Sequence, residues 1–359
     1  MFRAFRVPAV AAFLLLTGCA AQIGPRTIPH ARFDYGEALA RSWNEQLLLN
    51  LVRLRYRDTP QFLDVGSVVT QFTIAAGAGT EATIDESGDF SGGTAGANAA
   101  YAEEPTITYS PLQGNDFVAR LLAPVSPANL VLLSQSGWSI ERLLLCCVQK
   151  INGLRNATGA AGPTPDYAPP YEEFQQVAKL LRRLQIDGVI EAETDPESQT
   201  LRITLSEAPD ALAEEARQLR QLLKLPANAS SFPVTSGLRK NQPGEIAIAG
   251  RSLLSVLFYL SQAVEVPEQH EREGRVTVTL QPDGTRFDWV RATGGLMRVR
   301  TSPKPPADAA VRVRYRGHWF YIADTDLGSK TTFSLLTYLF SLKSGNQEVK
   351  EPVLTLGVR

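Results

Sequence analysis

Val68-Val69-Thr70-Gln71-Phe72-Thr73-Ile74-Ala75-Ala76-Gly77-Ala78-Gly79-Thr80-Glu81-Ala82-Thr83-Ile84 is followed by the turn-rich Glu86-Ser87-Gly88-Asp89-Phe90-Ser91-Gly92-Gly93, and then by a second regular stretch ending at Tyr109. In the first run Val68, Phe72, Ile74, Ala76, Ala78, Ala82 and Ile84 share one parity, while Gln71, Thr73, Gly77, Gly79, Glu81 and Thr83 occupy the other. In the second, Ala95, Ala97, Ala99, Tyr101, Ile107 and Tyr109 alternate against Thr94, Gly96, Asn98, Thr106 and Thr108. Successive side chains of a strand point to opposite faces, so this period of two predicts one long Gly/Ala-rich β-hairpin over 68–109. Its bland use is a surface arm, preferred here because Glu103 and Glu104 on adjacent positions oppose burial in lipid. Its sharper use is a transmembrane hairpin, for which about nine to eleven residues per strand suffice.

Outward from the hairpin the pattern is mixed. Phe33 to Tyr56 reads as an amphipathic packing helix, with Trp43, Leu47, Leu51 and Leu54 on one face and Arg53, Arg55 and Arg57 crowding the last turn, where cations suit the helix dipole. Helices are predicted at Asn115–Leu122 with an Asn or Asp cap, at Pro127–Ser134, and at Ser139–Asn152 with Ser139 as cap. Residues 156–170, aperiodic and rich in Pro, Gly and Ala, read as a linker at a subdomain boundary. Beyond it come helices over Tyr171–Leu184 and Ala211–Leu223, a hairpin of Val189–Ala192 with Leu201–Leu205, and Ile246–Ile248 leading into the apolar helix Ser252–Ser261. Strands follow at Arg275–Leu280, Leu296–Arg300, Val311–Tyr315 and His318–Ala323, then a helix over Thr332–Leu342. The fold class is α+β, with antiparallel hairpins and segregated helices. The expected organisation is 1–18 signal, 19–32 tether, 33–155 helical subdomain carrying the hairpin, 156–170 linker and 171–359 α+β subdomain.

The start of the chain bears on where the protein resides. Arg3 and Arg6 precede the apolar run Val7 to Leu16, the layout of a secretory signal and too short for a permanent membrane helix. Leu16-Thr17-Gly18-Cys19 resembles the lipobox of bacterial lipoproteins. That resemblance implies cleavage before Cys19, a diacylglyceryl group on its thiol and an acylated, palmitate-type N-terminus. Ala20 rather than Asp after the Cys implies the outer membrane, with the body on the periplasmic face. Several acyl chains on one residue hold far better than a single chain. A hairpin donated by each of several subunits resembles the logic of outer-membrane lipoprotein secretion pores and trimeric efflux ducts.

Composition is that of a globular chain, 44% hydrophobic and 20% charged. Without Arg3 and Arg6 the mature net charge is −3, 34 Lys and Arg against 37 Asp and Glu, so nothing recruits nucleic acid. No later run has the eighteen or more apolar residues of a membrane helix. Cys146 and Cys147, adjacent in a predicted helix, point in different directions and read as small buried hydrophobes rather than a redox pair. His30, His270 and His318 are too few and scattered for a zinc site, and no nucleophile elbow or phosphate loop is present, so neither cofactor nor metal is expected. Asn156-Ala157-Thr158 and Asn228-Ala229-Ser230 fit a glycosylation pattern and read as incidental. Arg312, Arg314 and Arg316 share one face of a half-solvated strand, beside Trp319, Phe320 and Tyr321. The one speculative ligand site is Asp324 and Asp326 with Lys330, a polar cluster at a strand end before a helix, against which stands plain capping.

The expected function is therefore that of an outer-membrane-anchored lipoprotein acting as an interaction or scaffold component of the cell envelope. Its partners are membrane lipid through Cys19 and envelope proteins. The alternative is a homo-oligomeric pore or export component sharing a barrel built from the 68–109 hairpin. An envelope hydrolase using Asp324 or Asp326 is the remote third reading.

Overall fold

A computed structural model describes residues 28–84, 90–112, 114–194, 200–237 and 243–344. Cys19 and the lipobox fall outside the described residues. Two compact units emerge, a body formed by the chain before Phe62 and after Gln113, and an arm formed by Phe62–Gln113. The chain is α+β.

The body begins with α1 (Ile28–Arg55), which puts its predicted stripe to work: Leu47, Leu48, Leu51, Val52 and Leu54 are buried, and Trp43 sets its ring edge-on to Phe340 at 5.0 Å. Three short helices follow, α2 (Asn115–Leu122), α3 (Pro127–Gln135) and α4 (Ile140–Cys147). Ser126 caps α3 by accepting from the Asn129 N–H at 3.2 Å, whereas Gly114 precedes α2 and neither it nor Ser139 before α4 provides a side-chain cap. The predicted helix 139–152 stops at Cys147, because Val148–Ile151 is drawn into a sheet as β3.

That sheet has six strands in the order β4 (Leu154–Arg155), β3, β8 (Ile246–Gly250), β7 (Ser231–Ser236), β6 (Leu201–Leu205) and β5 (Ile190–Thr194). The expected hairpin β5–β6 is antiparallel, but β7 and β8 run parallel, so the sheet is mixed. Among its helices, α5 (Glu172–Ile186) packs between α4 and α6 (Ala213–Leu223), using Phe174, Val177, Leu181 and Leu184 against Leu219 and Leu223. At the centre lies α7 (Leu253–Ser261), apolar nearly all round as its sequence requires and touching α1, α2 and α4.

The second sheet is antiparallel, β10 (Ala309–Tyr315), β11 (His318–Ala323) and β9 (Arg300–Ser302), and leads into α10 (Leu327–Ser344). On β10, Val311 and Val313 face inward while Arg312 and Arg314 are exposed, the half-solvated alternation the sequence foretold. Two predicted strands are otherwise placed. Residues 275–280 form only isolated bridges at Leu280, to Tyr167 and Arg286, and 296–300 contributes only its end, since Gly294 and Gly295 in left-handed conformations turn the chain just before it. Between the sheets lie two short helices, α8 (Glu268–Arg272) and α9 (Trp289–Ala292). Within the segment 156–170, Asn156, Ala157, Ala160 and Thr164 are buried, while Pro163, Asp166, Tyr167 and Pro170 are exposed.

The arm consists of β1 (Leu63–Ile84) and β2 (Phe90–Pro111), 22 residues each, paired antiparallel along almost their whole length. The register brings the two apolar parities opposite each other, with Val68 across from Ile107, Ile74 from Tyr101, Ala76 from Ala99 and Ala78 from Ala97. Irregularities interrupt the ladder between Val65 and Ser67 and between Thr83 and Ile84. Each strand's ladder partner among the described residues is the other strand.

Candidate functional site

The acidic cluster at the entry to α10 is satisfied internally. Asp326 sits where α10 needs a cap, and its carboxylate accepts from the Ser329 N–H at 3.0 Å and the Ser329 hydroxyl at 2.7 Å. Burial pushes the Asp326 carboxyl up, but the two Ser329 bonds with Arg300 and Arg298 nearby outweigh it and hold the group below the usual range. Lys330 closes on Asp324, whose carboxylate it meets at 2.6 Å. The three residues are close, as the sequence suggests, but they bond to their own turn and helix. Asp326 is engaged in capping and Asp324 in an ion pair with Lys330.

Two other polar centres were not anticipated. The first is Arg251, fully buried, whose Nη1 donates to the carbonyls of Leu145 (2.9 Å), Cys146 (3.1 Å) and Val148 (3.0 Å) and whose Nη2 donates to the Asn156 carbonyl. Asn156 adds its own side-chain N–H bonds to the Leu145 (2.9 Å) and Val148 (2.8 Å) carbonyls. A helix leaves its last carbonyls unpaired and its C-terminus partly negative, so a cation there is doubly suited. Arg251 meets them at the end of α4 with its guanidinium 3.7 Å above the Tyr259 ring. Burial lowers the Arg251 pKa and raises that of Tyr259 to about 12, so the hydroxyl stays protonated and donates to the Ala292 carbonyl at 3.1 Å. Cys146 and Cys147 are buried free thiols beside this centre; the hydrogen bond with Cys146, then burial, raises the Cys147 pKa well above its usual value. Asn156, one of the two glycosylation-pattern residues, is wholly inside.

The second centre gathers two of the three histidines at the C-terminal end of α1. The Tyr56 hydroxyl lies 2.7 Å from Nδ1 of His270, which itself sits 5.0 Å edge-on from the His318 ring. Asp58 accepts from the Tyr315 hydroxyl and, at 2.8 Å, from Arg316, whose guanidinium stacks over both Tyr56 and Tyr315. Arg316 remains exposed but lies beyond the end of β10, in a left-handed position of the β10–β11 turn. Burial, then Arg275 and His318, lowers the His270 pKa; burial raises that of Tyr56 to about 12. Neutral imidazole and neutral phenol make a lock and not a nucleophile, holding the end of α1 against α8 and the second sheet. No three-residue signal in the sequence could have found it, since its members are spread from residue 56 to residue 318.

Arg55 is in the last turn of α1, where its sequence position places a cation, and it is also buried, 7% exposed, with Nη1 donating to the Thr277 carbonyl at 3.1 Å. Comparison with protein-family models, with curated proteins and with solved structures finds no match to this chain. Its function is accordingly argued from its own geometry.

Proposed function

We propose that the protein is an outer-membrane-anchored lipoprotein that works as an assembly component of the cell envelope, with the arm Phe62–Gln113 as the element through which it assembles. The single observation carrying this reading is the arm itself. A lone two-stranded ribbon is marginal in water, and each outer edge of such a ribbon presents a row of peptide groups that pair readily with another strand. Here that ribbon has 22 residues per strand and forms a compact unit of its own, which fits an element completed by a partner. At about 3.3 Å per residue each strand extends roughly 70 Å, more than twice the hydrocarbon core of a bilayer. Membrane confinement through Cys19 would raise the effective concentration of whatever strand completes it.

A second reading is favoured by the same register. The apolar parities of β1 and β2 meet across the ladder over the Gly/Ala-rich middle, the alternation a barrel wall needs, so the completing strands can be other copies of the arm closed into a shared barrel. No helix among the described residues is long and apolar enough to cross a membrane.

Mass determination on the native, acylated protein in detergent, beside a variant lacking residues 72–101, tests both. A complex with other envelope proteins that is lost on deletion supports the first reading. A ring of copies that collapses to monomers supports the second. Assemblies unchanged by the deletion, or monomers in both samples, overturn the role given to the arm.

A further inference from the structure

Beneath the C-terminal turn of α1 is a cavity of about 370 Å³, within the size range of small-molecule sites. Its walls combine an apolar side, with Val264, Val278, Phe287 and Trp289, and a polar side formed by Arg55, Gln262 and Thr301. Phe287 and Trp289 stand edge-to-face at 4.8 Å, and the indole N–H is already donated to Thr279 at 3.0 Å, so both rings act as apolar surface.

The polar side is incompletely bonded. Arg55 spends Nη1 on Thr164 and Thr277, but its buried Nε has no partner and its Nη2 donates to none of the described residues. Nε and Nη2 form the side edge of the guanidinium, the edge that grips a carboxylate with two parallel bonds. The acids around the cavity do not supply that carboxylate: Glu271 pairs with Arg286, Glu265 pairs with Arg298 at 2.6 Å, and Asp288 accepts from the Arg291 N–H at 3.0 Å. Gln262, 4% exposed, donates through Nε2 to Thr164 and Phe258, while its Oε1 is buried without a donor. The Thr301 hydroxyl is likewise buried without a partner. Glu271 acts on Arg55 through space but does not bond its side edge; a buried guanidinium N–H lacking an acceptor and a buried acceptor lacking a donor are both costly, and here they border the same space.

We propose that this cavity binds a small carboxylate carrying an N–H or O–H donor next to the carboxyl group and an apolar or aromatic side chain, the chemistry shared by α-amino acids and the C-terminal residue of a peptide. The carboxylate pairs with the side edge of Arg55, the neighbouring donor bonds Gln262 Oε1 with Thr301 beside it, and the side chain lies against Phe287 and Trp289. The inference does not depend on the arm or on the lipid.

The test is calorimetric titration of the full-length protein in detergent with L-phenylalanine, glycyl-L-phenylalanine and L-phenylalaninamide. The two carboxylates should bind, and the amide, which cannot satisfy the Arg55 edge, should bind at least about tenfold more weakly, the worth of one charge-assisted bond. Preference for phenylalanine assigns free amino acids as the source, and preference for the dipeptide assigns peptide ends. Arg55→Lys keeps the charge without the fork and should cost about tenfold or more in affinity; Thr301→Val, nearly isosteric, should weaken binding without lowering the melting temperature and so covers the case in which the Arg55 variant does not fold. Equal binding of acid and amide, heat-silent titrations with all three, or a crystal soaked with the dipeptide that shows only water on Arg55 and Gln262 would overturn the proposal.

Discussion

Replacing Arg251 by Met examines how far one side chain holds the centre of the body together. Met fills a similar length but supplies no donor. Of the four carbonyls that Arg251 serves, those of Leu145 and Val148 keep a bond from Asn156, whereas the Cys146 carbonyl loses its Arg251 bond and the Asn156 carbonyl loses the donor it receives from Nη2. At about 1 to 3 kcal/mol for each buried group left unpaired, the two carbonyls lost amount to roughly 2 to 6 kcal/mol. Loss of the desolvated stacking on Tyr259 adds about 2 kcal/mol. Against this, Met removes a buried charge that has no carboxylate partner, and relief of its desolvation can offset several kcal/mol. The expected net destabilisation is about 2 to 4 kcal/mol, since dipoles at a helix end compensate the cation less fully than an ion would, while their own need for a donor is undiminished. Urea unfolding followed by circular dichroism should show the midpoint fall with the slope unchanged. A midpoint within error of the parent would refute the reasoning, because it would mean that the charge costs as much as its bonds return.

Further outcomes are equally direct. His270 has a folded pKa below its unfolded value, so its contribution to stability is fully present above the unfolded value near 6.5 and is lost as pH falls below it; His270→Gln should flatten that loss in melts recorded from neutral to mildly acidic pH. Gly250→Ala would place a Cβ 2.1 Å from the Val125 carbonyl oxygen, a backbone atom, so the strand junction must shift at a cost of about 1 to 3 kcal/mol or more, measurable as a lower melting temperature. Asp326→Asn should cost no more than about 1 kcal/mol, because Asn also caps well, while Asp326→Ala should cost about 1 to 2 kcal/mol, a ranking that a ligand-binding role would not produce.

Much of the architecture was legible because local periodicity and local burial agree. The stripe Leu47, Leu51, Leu54 is one face of α1, the alternation of 68–109 is a ladder with its apolar parities in register, and the apolar string 253–261 is a central helix. What escaped was whatever depends on a distant partner. Val148–Ile151 continues the leucine-rich run of α4 in sequence but becomes strand because β8, about a hundred residues later, offers it a ladder. Residues 156–170 have the composition of a linker, yet Asn156 and Thr164 are core residues because buried arginines need their oxygens. In the candidate cluster Asp326 caps the start of α10 through Ser329 and Asp324 pairs with Lys330, both contacts within six residues and so open to a local reading. Arg55 and Arg251 gave no signal, since a single arginine in a sequence does not declare that it will be buried.

The first helix has one further consequence, for the order in which the chain can fold. Tyr56 finds its hydrogen-bond partner 214 residues later, and Trp43 meets Phe340 near the end of the described chain. A chain made from its N-terminus therefore cannot complete the main packing of α1 until α7 and β10 have been synthesised. Contacts of such separation make folding slow and leave early segments open to other binders. Under the envelope reading proposed above, in which the chain is threaded across a membrane, late closure of its own core would keep it in a form that can still be threaded.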